Sequence, residues 1–251
     1  MQTTKKIGDS MSVTQKRRAL ITGASSGIGK ATALAFAKAG IDVALVSRSV
    51  EKLESVAMAA RHADVTAKAY SVDLASIAQV QESMSAIARD FGDIDILVNN
   101  AGMGYTATLS ETSLADWQQV IDLNLTSVFQ CILGILPSMR DRGHGTIINV
   151  ASIAGKQAFA SWGAYSVSKA GLISLSQALA QEERAHGIRV TAICPGSVNT
   201  ELWDTETVRV KLDRTNMLTP EIVAQSILHT ALLPQQAVID ELILMPSKGV
   251  L

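Results

Sequence analysis

A tyrosine and a lysine four residues apart offer a pair of groups for proton exchange with a substrate. Tyr165 and Lys169 begin a segment of helical period, so their spacing places both on one helical face. A free phenol titrates at about pH 10, and proton exchange near pH 7 requires a shift of about three units, or about 4 kcal/mol. An ammonium about 4 Å away at an effective dielectric constant of about 20 supplies roughly that energy. We therefore expect Lys169 to lower the pKa of Tyr165.

A glycine-rich turn follows the first apolar run. It reads Thr22-Gly23-Ala24-Ser25-Ser26-Gly27-Ile28-Gly29 and opens an alanine-rich helical segment. Glycines let the backbone approach a pyrophosphate, and a helix N-terminus presents unpaired N–H groups and a partial positive charge. A tight turn without a ligand is the alternative. The strand before it, the helix after it and a second strand about 20 residues on favour a dinucleotide site.

The end of the second strand indicates which dinucleotide binds. An acidic residue there would bind the ribose 2′-hydroxyl of NAD, whereas a 2′-phosphate requires a cation. The strand ends at Ser47 and Arg48, whose hydroxyl and planar guanidinium suit a phosphate. Asp42 begins the same strand, about 15 Å away at about 3.3 Å per residue, and cannot reach the ribose. We predict a preference for NADP(H) over NAD(H), with a solvated loop arginine as the alternative role of Arg48.

Seven short apolar runs alternate with segments of helical period, and these elements must position the groups above. This alternation implies right-handed crossovers, so we predict a single-domain, Rossmann-type α/β fold with a doubly wound, parallel seven-stranded sheet and helices on both faces. Ligands bind such sheets at the carboxyl ends of the strands. The predicted strands are Ala19–Thr22, Asp42–Ser47, Ala67–Val72, Ile94–Asn99, Thr146–Ala151, Arg189–Cys194 and Val238–Met245, and the predicted helices are approximately 27–40, 50–62, 76–91, 113–140, 162–186 and 220–233.

The composition argues against several classes of protein. The 251 residues are 47% hydrophobic and carry a formal net charge of −1, which offers no electrostatic footprint for nucleic acid or an anionic membrane. No continuous apolar stretch approaches the roughly 18 residues of a membrane span. Residues 1–16 lack the apolar core of a secretory signal, so we predict a disordered leader, with Met11 as an alternative start, and one catalytic domain over 17–251.

Two cysteines complete the composition argument. Cys131 and Cys194 match no metal-ligand spacing, and both lie in apolar runs. We predict two buried structural thiols, no metal site and a cytoplasmic location.

Several motifs in combination resemble the short-chain dehydrogenase/reductase family over about residues 17–245. The chain has the Thr-Gly-x-x-x-Gly-x-Gly turn, Asn99-Asn100-Ala101-Gly102, Asn124, Ser152, Tyr-x-x-x-Lys at 165–169 and Pro195-Gly196, in the family order. The resemblance implies that Tyr165 is the general acid/base and that Ser152 orients the substrate carbonyl. It also implies that Lys169 holds the nicotinamide ribose and that Asn124 supports a water in a proton relay. A helix-capping serine and a surface tyrosine are the alternative.

The resemblance implies a longer set of cofactor contacts. Asp73 is expected to hydrogen-bond adenine, to cap the following helix, or both, and Asn99 is expected to brace the sheet. The stretch 195–200 resembles the family segment that contacts the carboxamide and the phosphates. The predicted cofactor site comprises Gly23, Ser25, Ser26, Gly27, Ile28, Gly29, Ser47, Arg48, Asp73, Leu74, Asn100, Ala101, Gly102, Tyr165, Lys169, Pro195, Gly196, Val198 and Thr200.

Substrate choice is expected to come from the segments 103–108, 153–162 and 201–218, the last as a mobile lid helix. The charges of the last segment form either a solvated helix face or a site for a carboxylate or carrier-linked substrate. The predicted substrate-binding residues are Ser152, Trp162, Tyr165 and Trp203, the aromatic residues expected to line the active site are Tyr105, Phe159, Trp162, Tyr165 and Trp203, and the cations of the lid are Arg209, Lys211 and Arg214.

The sequence after the seventh strand differs between branches of the family. Reductases of 3-oxoacyl groups on acyl carrier protein typically have a Gly-Gly pair after the seventh strand, where this chain has Ile239–Pro246. That ending is similar to NADP-dependent 3-hydroxy acid dehydrogenases and broad carbonyl reductases. The leading hypothesis is an NADPH-dependent enzyme acting on a small ketone or secondary alcohol, either free or linked to a carrier. The alternatives are an acyl-carrier reductase, a 3-hydroxy acid dehydrogenase and a non-enzymatic cofactor sensor.

Assembly is predicted from two long helices. The segments 113–140 and 162–186 resemble those through which the family forms dimers and tetramers. We predict a homodimer or homotetramer, with a monomer core as the alternative role of the apolar residues Val128, Phe129, Ile132, Leu133 and Leu136.

Overall fold

A seven-stranded parallel sheet runs through the centre of the protein. A computed structural model describes residues 16–210 and 212–249, so the predictions for residues 1–15, the start at Met11 and Lys211 lie outside the described residues. The strands are β1 Arg18–Thr22, β2 Asp42–Ser47, β3 Ala67–Ser71, β4 Ile96–Asn99, β5 Gly145–Val150, β6 Ile188–Pro195 and β7 Glu241–Leu244. Their order is β3-β2-β1-β4-β5-β6-β7, with parallel pairing throughout, which confirms the predicted fold class.

Helices cover both faces of this sheet. They are α1 Gly27–Lys38, α2 Val50–Arg61, α3 Ile77–Phe91, α4 Leu114–Ile121, α5 Ser127–Arg142, α6 Gly163–Glu183 and α7 Pro220–Leu232. One core cluster joins α1, α2 and α7 to the sheet around Phe36, Leu53 and Ile227. A second joins α3, α5 and α6 to the other face around Met84 and Ile132. The connections that leave the neighbouring strands β1 and β4 therefore go to opposite faces and leave a crevice between the strand ends.

Local sequence signals account for where two of these helices begin. Ser113 precedes α4, and its hydroxyl accepts a hydrogen bond from the Asp116 N–H at 3.1 Å. Thr219 precedes α7 and caps it in the same way, with Pro220 at the first helical position. Such caps satisfy N–H groups that have no partner inside the helix.

The helix predicted over 113–140 is interrupted. A π-helical turn, Asp122–Thr126, separates α4 from α5 and carries the buried Asn124 at its centre. A π turn accommodates one extra residue and changes the direction of the following side chains. The apolar period of this segment is continuous across the turn, so the sequence pattern contains no signal of the changed backbone hydrogen bonding.

The same helical run, Leu114–Arg142, is long and apolar enough to cross a membrane by length and composition, with a mean hydropathy of 1.6. Less than half of its most apolar stretch is buried in the protein. Cys131, Ile135 and Met139 are buried in the second core cluster, whereas Leu114 and Phe129 are exposed. Packing on the sheet therefore accounts for only part of the apolar composition of this run.

Some predicted boundaries differ for identifiable reasons. β4 begins at Ile96 instead of Ile94, because the Asp95 carboxylate accepts hydrogen bonds from the Arg18 N–H at 2.9 Å and from Arg142 Nη1 at 2.6 Å. The predicted lid helix over 201–218 is wrong. The described residues of this segment form a 3₁₀ turn, Glu201–Asp204, and no α-helix. The Thr207 carbonyl accepts the Thr106 N–H at 2.9 Å, and the Arg209 N–H donates to the Thr106 hydroxyl at 2.7 Å, so this segment pairs with 104–106.

Candidate active site

A cavity of about 590 Å³ lies at the carboxyl ends of the strands, where the topology places a ligand site. All but two of the predicted catalytic, cofactor-binding and substrate-binding residues line it. The exceptions are Gly29 and Asn124. Both lie behind the cavity wall, where Gly29 packs on the Gly23 carbonyl and Asn124 is fully buried.

The glycine turn forms one wall of the cavity. Gly23 and Gly27 have φ values of +65° and +51°, in the left-handed region that favours glycine. A side chain at Gly29 would come within 2.2 Å of the Gly23 oxygen, so the close contact of turn and helix requires a glycine there. Ser26 precedes α1 without capping it, and the first turn of α1 contains no acidic residue. A pyrophosphate can therefore approach the N-terminus of α1 without like-charge repulsion from its first turn.

The turn is held against the strand β4 by a buried threonine. The Thr22 hydroxyl accepts hydrogen bonds from the Asn100 and Ala101 N–H groups at 3.0 and 3.1 Å. The Asn100 side-chain amide in turn donates to the Thr22 carbonyl at 3.0 Å. As predicted, Asn99 braces the sheet: its amide donates to the Asn149 side chain at 2.9 Å. These contacts fix two cavity walls relative to each other.

Two cations lie at the far end of the cavity. Arg48 lines this end with Ser47, as predicted, and Lys52 joins them from the first turn of α2. Asp42 is at the opposite end of β2, where its carboxylate accepts a hydrogen bond from the Thr66 N–H at 2.7 Å. Sequence reasoning missed Lys52, although its position four residues after Arg48, at the start of the helix that follows β2, is a usable signal.

Asp73 lines the same region from the end of β3. Its carboxylate accepts a hydrogen bond from the Ala75 N–H at 3.1 Å, while Ser76 is the N-cap residue of α3. Asp73 therefore caps a tight turn before α3, and the alternative prediction of a helix cap is wrong.

The side chains of Tyr165, Ser152 and Lys169 meet at the other end of the cavity. Ser152 follows β5, and its hydroxyl both hydrogen-bonds to the Tyr165 side chain and accepts the Ala154 N–H at 3.1 Å. Lys169, one turn beyond Tyr165 on α6, is buried, and its Nζ donates to the Val150 carbonyl at 2.9 Å. The Lys169 Nζ lies 5.8 Å from the centre of the Tyr165 ring.

Burial dominates the electrostatics of this cluster. It raises the pKa of Tyr165, and the hydrogen bond from Ser152 opposes this rise. It lowers the pKa of Lys169 to about 8. The expected lowering of the Tyr165 pKa by Lys169 is not seen. Burial disfavours the charged form of both groups and has the larger effect on the phenol. A lysine of this pKa is suited to take up and return protons near neutral pH.

Asn124, in the π-helical turn, connects two segments of the site through its side-chain hydrogen bonds. Its side-chain oxygen accepts a hydrogen bond from the Met103 N–H at 2.8 Å, and its amide donates to the Met103 carbonyl at 2.9 Å. The amide also donates to the Ser168 hydroxyl at 3.1 Å, which itself donates to the Tyr165 carbonyl at 2.7 Å. Ser168, which sequence reasoning missed, thus connects Asn124 to the helix that carries Tyr165 and Lys169.

Aromatic rings form the wall next to Tyr165. The ring of Trp162 contacts Tyr165 with centres 5.3 Å apart and contacts Trp203 with centres 5.8 Å apart, both edge to face. Phe159 lines the same cavity. Tyr105, which was expected here, does not line it; its hydroxyl donates to the Asp116 carboxylate at 3.2 Å.

The remaining predicted groups lie outside this wall. Arg214 forms a bidentate ion pair with Asp204 at 3.1 and 2.5 Å, and Arg209 is exposed.

Both predicted structural thiols, Cys131 and Cys194, are buried and form no disulfide, and burial raises the pKa of Cys194 to about 11. The cytoplasmic location stays a prediction. Within residues 16–210 and 212–249, no three His, Cys, Asp or Glu side chains are grouped as metal ligands.

Comparison with known proteins agrees with this geometry. Residues 17–210 match the family described as short chain dehydrogenase. The chain is 39% identical over 190 residues to D-threitol dehydrogenase from Mycolicibacterium smegmatis, covering 74% of this chain and 73% of that protein. It is 32% identical over 234 residues to glycine betaine reductase ATRR from Emericella nidulans; the match spans 91% of this chain but only 18% of that protein.

Solved structures share the whole fold. An alcohol dehydrogenase from the archaeon Thermococcus sibiricus, complexed with 5-hydroxy-NADP, superimposes with a TM-score of 0.85 at 29% identity, covering 93% of this chain and 97% of that chain. An actinorhodin polyketide ketoreductase variant with NADPH gives a TM-score of 0.83 at 29% identity and the same coverage. The chain therefore belongs to the short-chain dehydrogenase/reductase family of NAD(P)-dependent oxidoreductases that act on alcohol and ketone groups, which confirms the predicted family and enzyme class.

We expect Lys169 to titrate at a pH of about 8, against an ordinary value of 10.5. Between these values the unfolded chain binds more protons than the folded one, so the contribution of this group to the free energy of unfolding rises with pH from about 8 to 10.5. Below pH 8 the cost of burying the charge is constant. Nitrogen-15 NMR of lysine side chains measures the midpoint directly.

The Lys169→Met variant assigns the resonance by its absence and should lose this rise of stability with pH. The exposed Lys30 is the internal control. A Lys169 midpoint as high as that of Lys30 would contradict the expectation.

Proposed function

We propose that this protein transfers a hydride between NADP(H) and a ketone or secondary alcohol, with Tyr165 as the proton-exchanging group. The observation that carries the proposal is the convergence of Tyr165, Ser152 and Lys169 at one end of a cavity whose other end holds Arg48. The glycine turn and the N-terminus of α1 lie between these ends and suit the pyrophosphate.

In this proposal each residue of the site has a separate role in the reaction. Ser152 donates a hydrogen bond to the carbonyl oxygen, and Tyr165 passes its proton to that oxygen as the alkoxide develops. Bound NADPH supplies the hydride to the carbonyl carbon and leaves as NADP⁺. Lys169 holds the nicotinamide ribose and, at a pKa of about 8, returns a proton toward Tyr165. Asn124 holds the π-helical turn in place to support a water in this relay.

The preference for NADP(H) rests on charge at the ribose end. Arg48 and Lys52 both line the cavity there, and the carboxylate of Asp42 is held at the far end of β2. A 2′-phosphate would form charge-assisted hydrogen bonds to the guanidinium. The NADP-bound and NADPH-bound relatives of the same fold support this assignment.

The Tyr165→Phe variant tests the proton-transfer role. It removes the phenolic hydroxyl but keeps a ring against Trp162, so we expect it to fold and to bind NADPH with unchanged affinity. Turnover should fall by about 10²–10⁴-fold, the usual contribution of a positioned acid. NADPH consumption is measured with the best substrate from a screen of 3-oxoacyl thioesters, 3-oxo acids, aryl ketones and sugars.

Tyr105→Phe is the matched control, because its hydroxyl bonds to Asp116 away from the cavity. Turnover by Tyr165→Phe at the level of this control would refute the role of Tyr165.

The Arg48→Asp variant tests cofactor choice. The loss of charge-assisted hydrogen bonds, about 1.5–3 kcal/mol, corresponds to a fall of about 10–100-fold in the NADPH to NADH ratio of kcat/KM. Lys52→Asp should lower the ratio less. Arg89→Asp makes the same charge change at an exposed position paired with Glu82, and it should leave the ratio unchanged. An unchanged ratio in Arg48→Asp would show that this arginine does not bind the 2′-phosphate of NADP(H).

We also propose a homodimer or homotetramer. Of the five residues expected to supply the apolar surface, Val128, Ile132 and Leu136 are buried in the monomer core, so that part of the expectation is wrong. Phe129 on α5 is 42% exposed, and Val167 on α6 is 47% exposed, and exposed apolar residues of this size suit a second copy.

Light scattering at micromolar concentration should give the mass of a dimer or tetramer. Val167→Asp should shift the mass toward the monomer, whereas Val50→Asp, at an exposed position on α2, should not. A monomeric wild-type protein would reject the assembly.

A further inference from the structure

We propose that the substrate is an uncharged ketone or secondary alcohol whose flat apolar group lies against Trp162 and Trp203. This inference rests on the proposed function, because it places the reacting oxygen at Tyr165. It goes further in naming the chemical class that the rest of the cavity selects.

The rings form a continuous surface that begins at the reacting group. Trp162 contacts Tyr165 at a centre distance of 5.3 Å and an angle of 67°, and it contacts Trp203 at 5.8 Å and 74°. We place one substituent of the carbonyl carbon along this surface. Aromatic groups gain both area burial and ring–ring attraction in such a position.

The Trp203 ring and the backbone at Trp162 are held in place by contacts within the protein. Trp203 Nε1 donates to the Val198 carbonyl at 2.7 Å, which ties the ring to the loop after β6. The Trp162 carbonyl accepts the Ser166 N–H at 2.8 Å. Ser161, directly before it, has a φ of +63°, a conformation that a residue with a side chain rarely adopts. A wall that is already rigid loses little entropy when a flat group packs on it.

Apolar residues next to the tryptophans are closely packed. Met103 and Leu202 line the cavity, and a side chain on Gly104 would come within 2.9 Å of Leu202 Cδ2 and 2.6 Å of Val208 Cγ2. The Thr207 hydroxyl donates to the Gly104 carbonyl at 2.7 Å, which holds the segments that contain Met103 and Leu202 together. We call the part of the cavity lined by Trp162, Trp203, Met103 and Leu202 the slot.

The charges that line the cavity lie elsewhere or have the wrong sign for an anion. Arg48 and Lys52 belong to the ribose end, and Lys169 is buried against the Val150 carbonyl. Glu201 places a carboxylate oxygen 3.6 Å from where a side chain on Gly27 would lie, at the glycine turn, so it offers no partner to a substrate carboxylate.

Neither described cation of the segment 201–218 lines the slot. Arg214 is paired with Asp204, and Arg209 is exposed. A substrate carboxylate in the slot would therefore lose hydration without gaining a partner among the described residues, which is costly. The structure thus disfavours the 3-hydroxy acid alternative.

Two pairs of ketones separate the effects of charge and ring. Methyl 4-acetylbenzoate and 4-acetylbenzoate share a ring and differ in charge, and methyl acetoacetate and acetoacetate differ in the same way without a ring. With the full chain and NADPH, we expect kcat/KM for methyl 4-acetylbenzoate to exceed that for 4-acetylbenzoate by at least about ten-fold. Equal or higher values for the carboxylates would overturn the inference.

Variants of Trp203 attribute the selectivity to the wall. Trp203→Ala should lower kcat/KM for methyl 4-acetylbenzoate by about ten-fold, mainly through KM, and should affect methyl acetoacetate less. Trp203→Arg should raise the value for 4-acetylbenzoate relative to its ester. Tyr105→Leu, which removes an aromatic residue outside the cavity, should leave both ratios unchanged. Equal losses with ring and ringless esters in Trp203→Ala would contradict the ring contact.

The same assay distinguishes this inference from the proposed function. If the wild-type protein consumes none of these ketones and none of the screened carbonyl compounds while it binds NADPH, as seen by enhanced NADPH fluorescence, the proposed function fails and the inference fails with it. If it consumes ketones but prefers the carboxylates, the proposed function stands and the substrate class is wrong.

Discussion

The crevice between the carboxyl ends of β1 and β4 is the constraint on which the rest of the structure depends. It exists because the chain leaves these neighbouring strands toward opposite faces of a parallel sheet. The Thr22 hydroxyl bridges the crevice by holding the Asn100 and Ala101 N–H groups, and the close packing at Gly29 keeps α1 against the turn. A ligand placed there meets the N-terminus of α1 on one side and α6, which carries Tyr165 and Lys169, on the other.

Burial then determines the chemistry that the crevice supports. The same apolar surroundings that raise the pKa of Tyr165 lower that of Lys169, so the two pKa values move apart and the lysine gives up its proton before the phenol does. The hydrogen bond between Ser152 and Tyr165 keeps the phenol directed at the cavity. The π-helical turn at Asn124 ties Met103 and Ser168 together and so connects the floor of the cavity to α6.

Particular residues show where sequence reasoning succeeds and where it stops. The strand pattern, the glycine turn and the i, i+4 spacing of Tyr165 and Lys169 are local, and the structure places them at one cavity. The π turn at Asn124, the start of β4 after Asp95 and the orientation of Tyr105 depend on partners distant in the chain, namely Met103, Arg142 and Asp116. Lys52 follows Arg48 closely, yet its place at the cavity depends on where α2 begins.

The sequence alone determined the fold class and the residue types of the reaction, because hydrophobic period and short motifs are properties of neighbouring residues. Only the tertiary structure decided how these residues are used. It showed burial setting the proton affinities, the rings of Trp162 and Trp203 in contact, and the segment 201–218 paired with 104–106 in place of forming a helix. These properties arise from desolvation and from contacts between segments far apart in the chain, which no local pattern records.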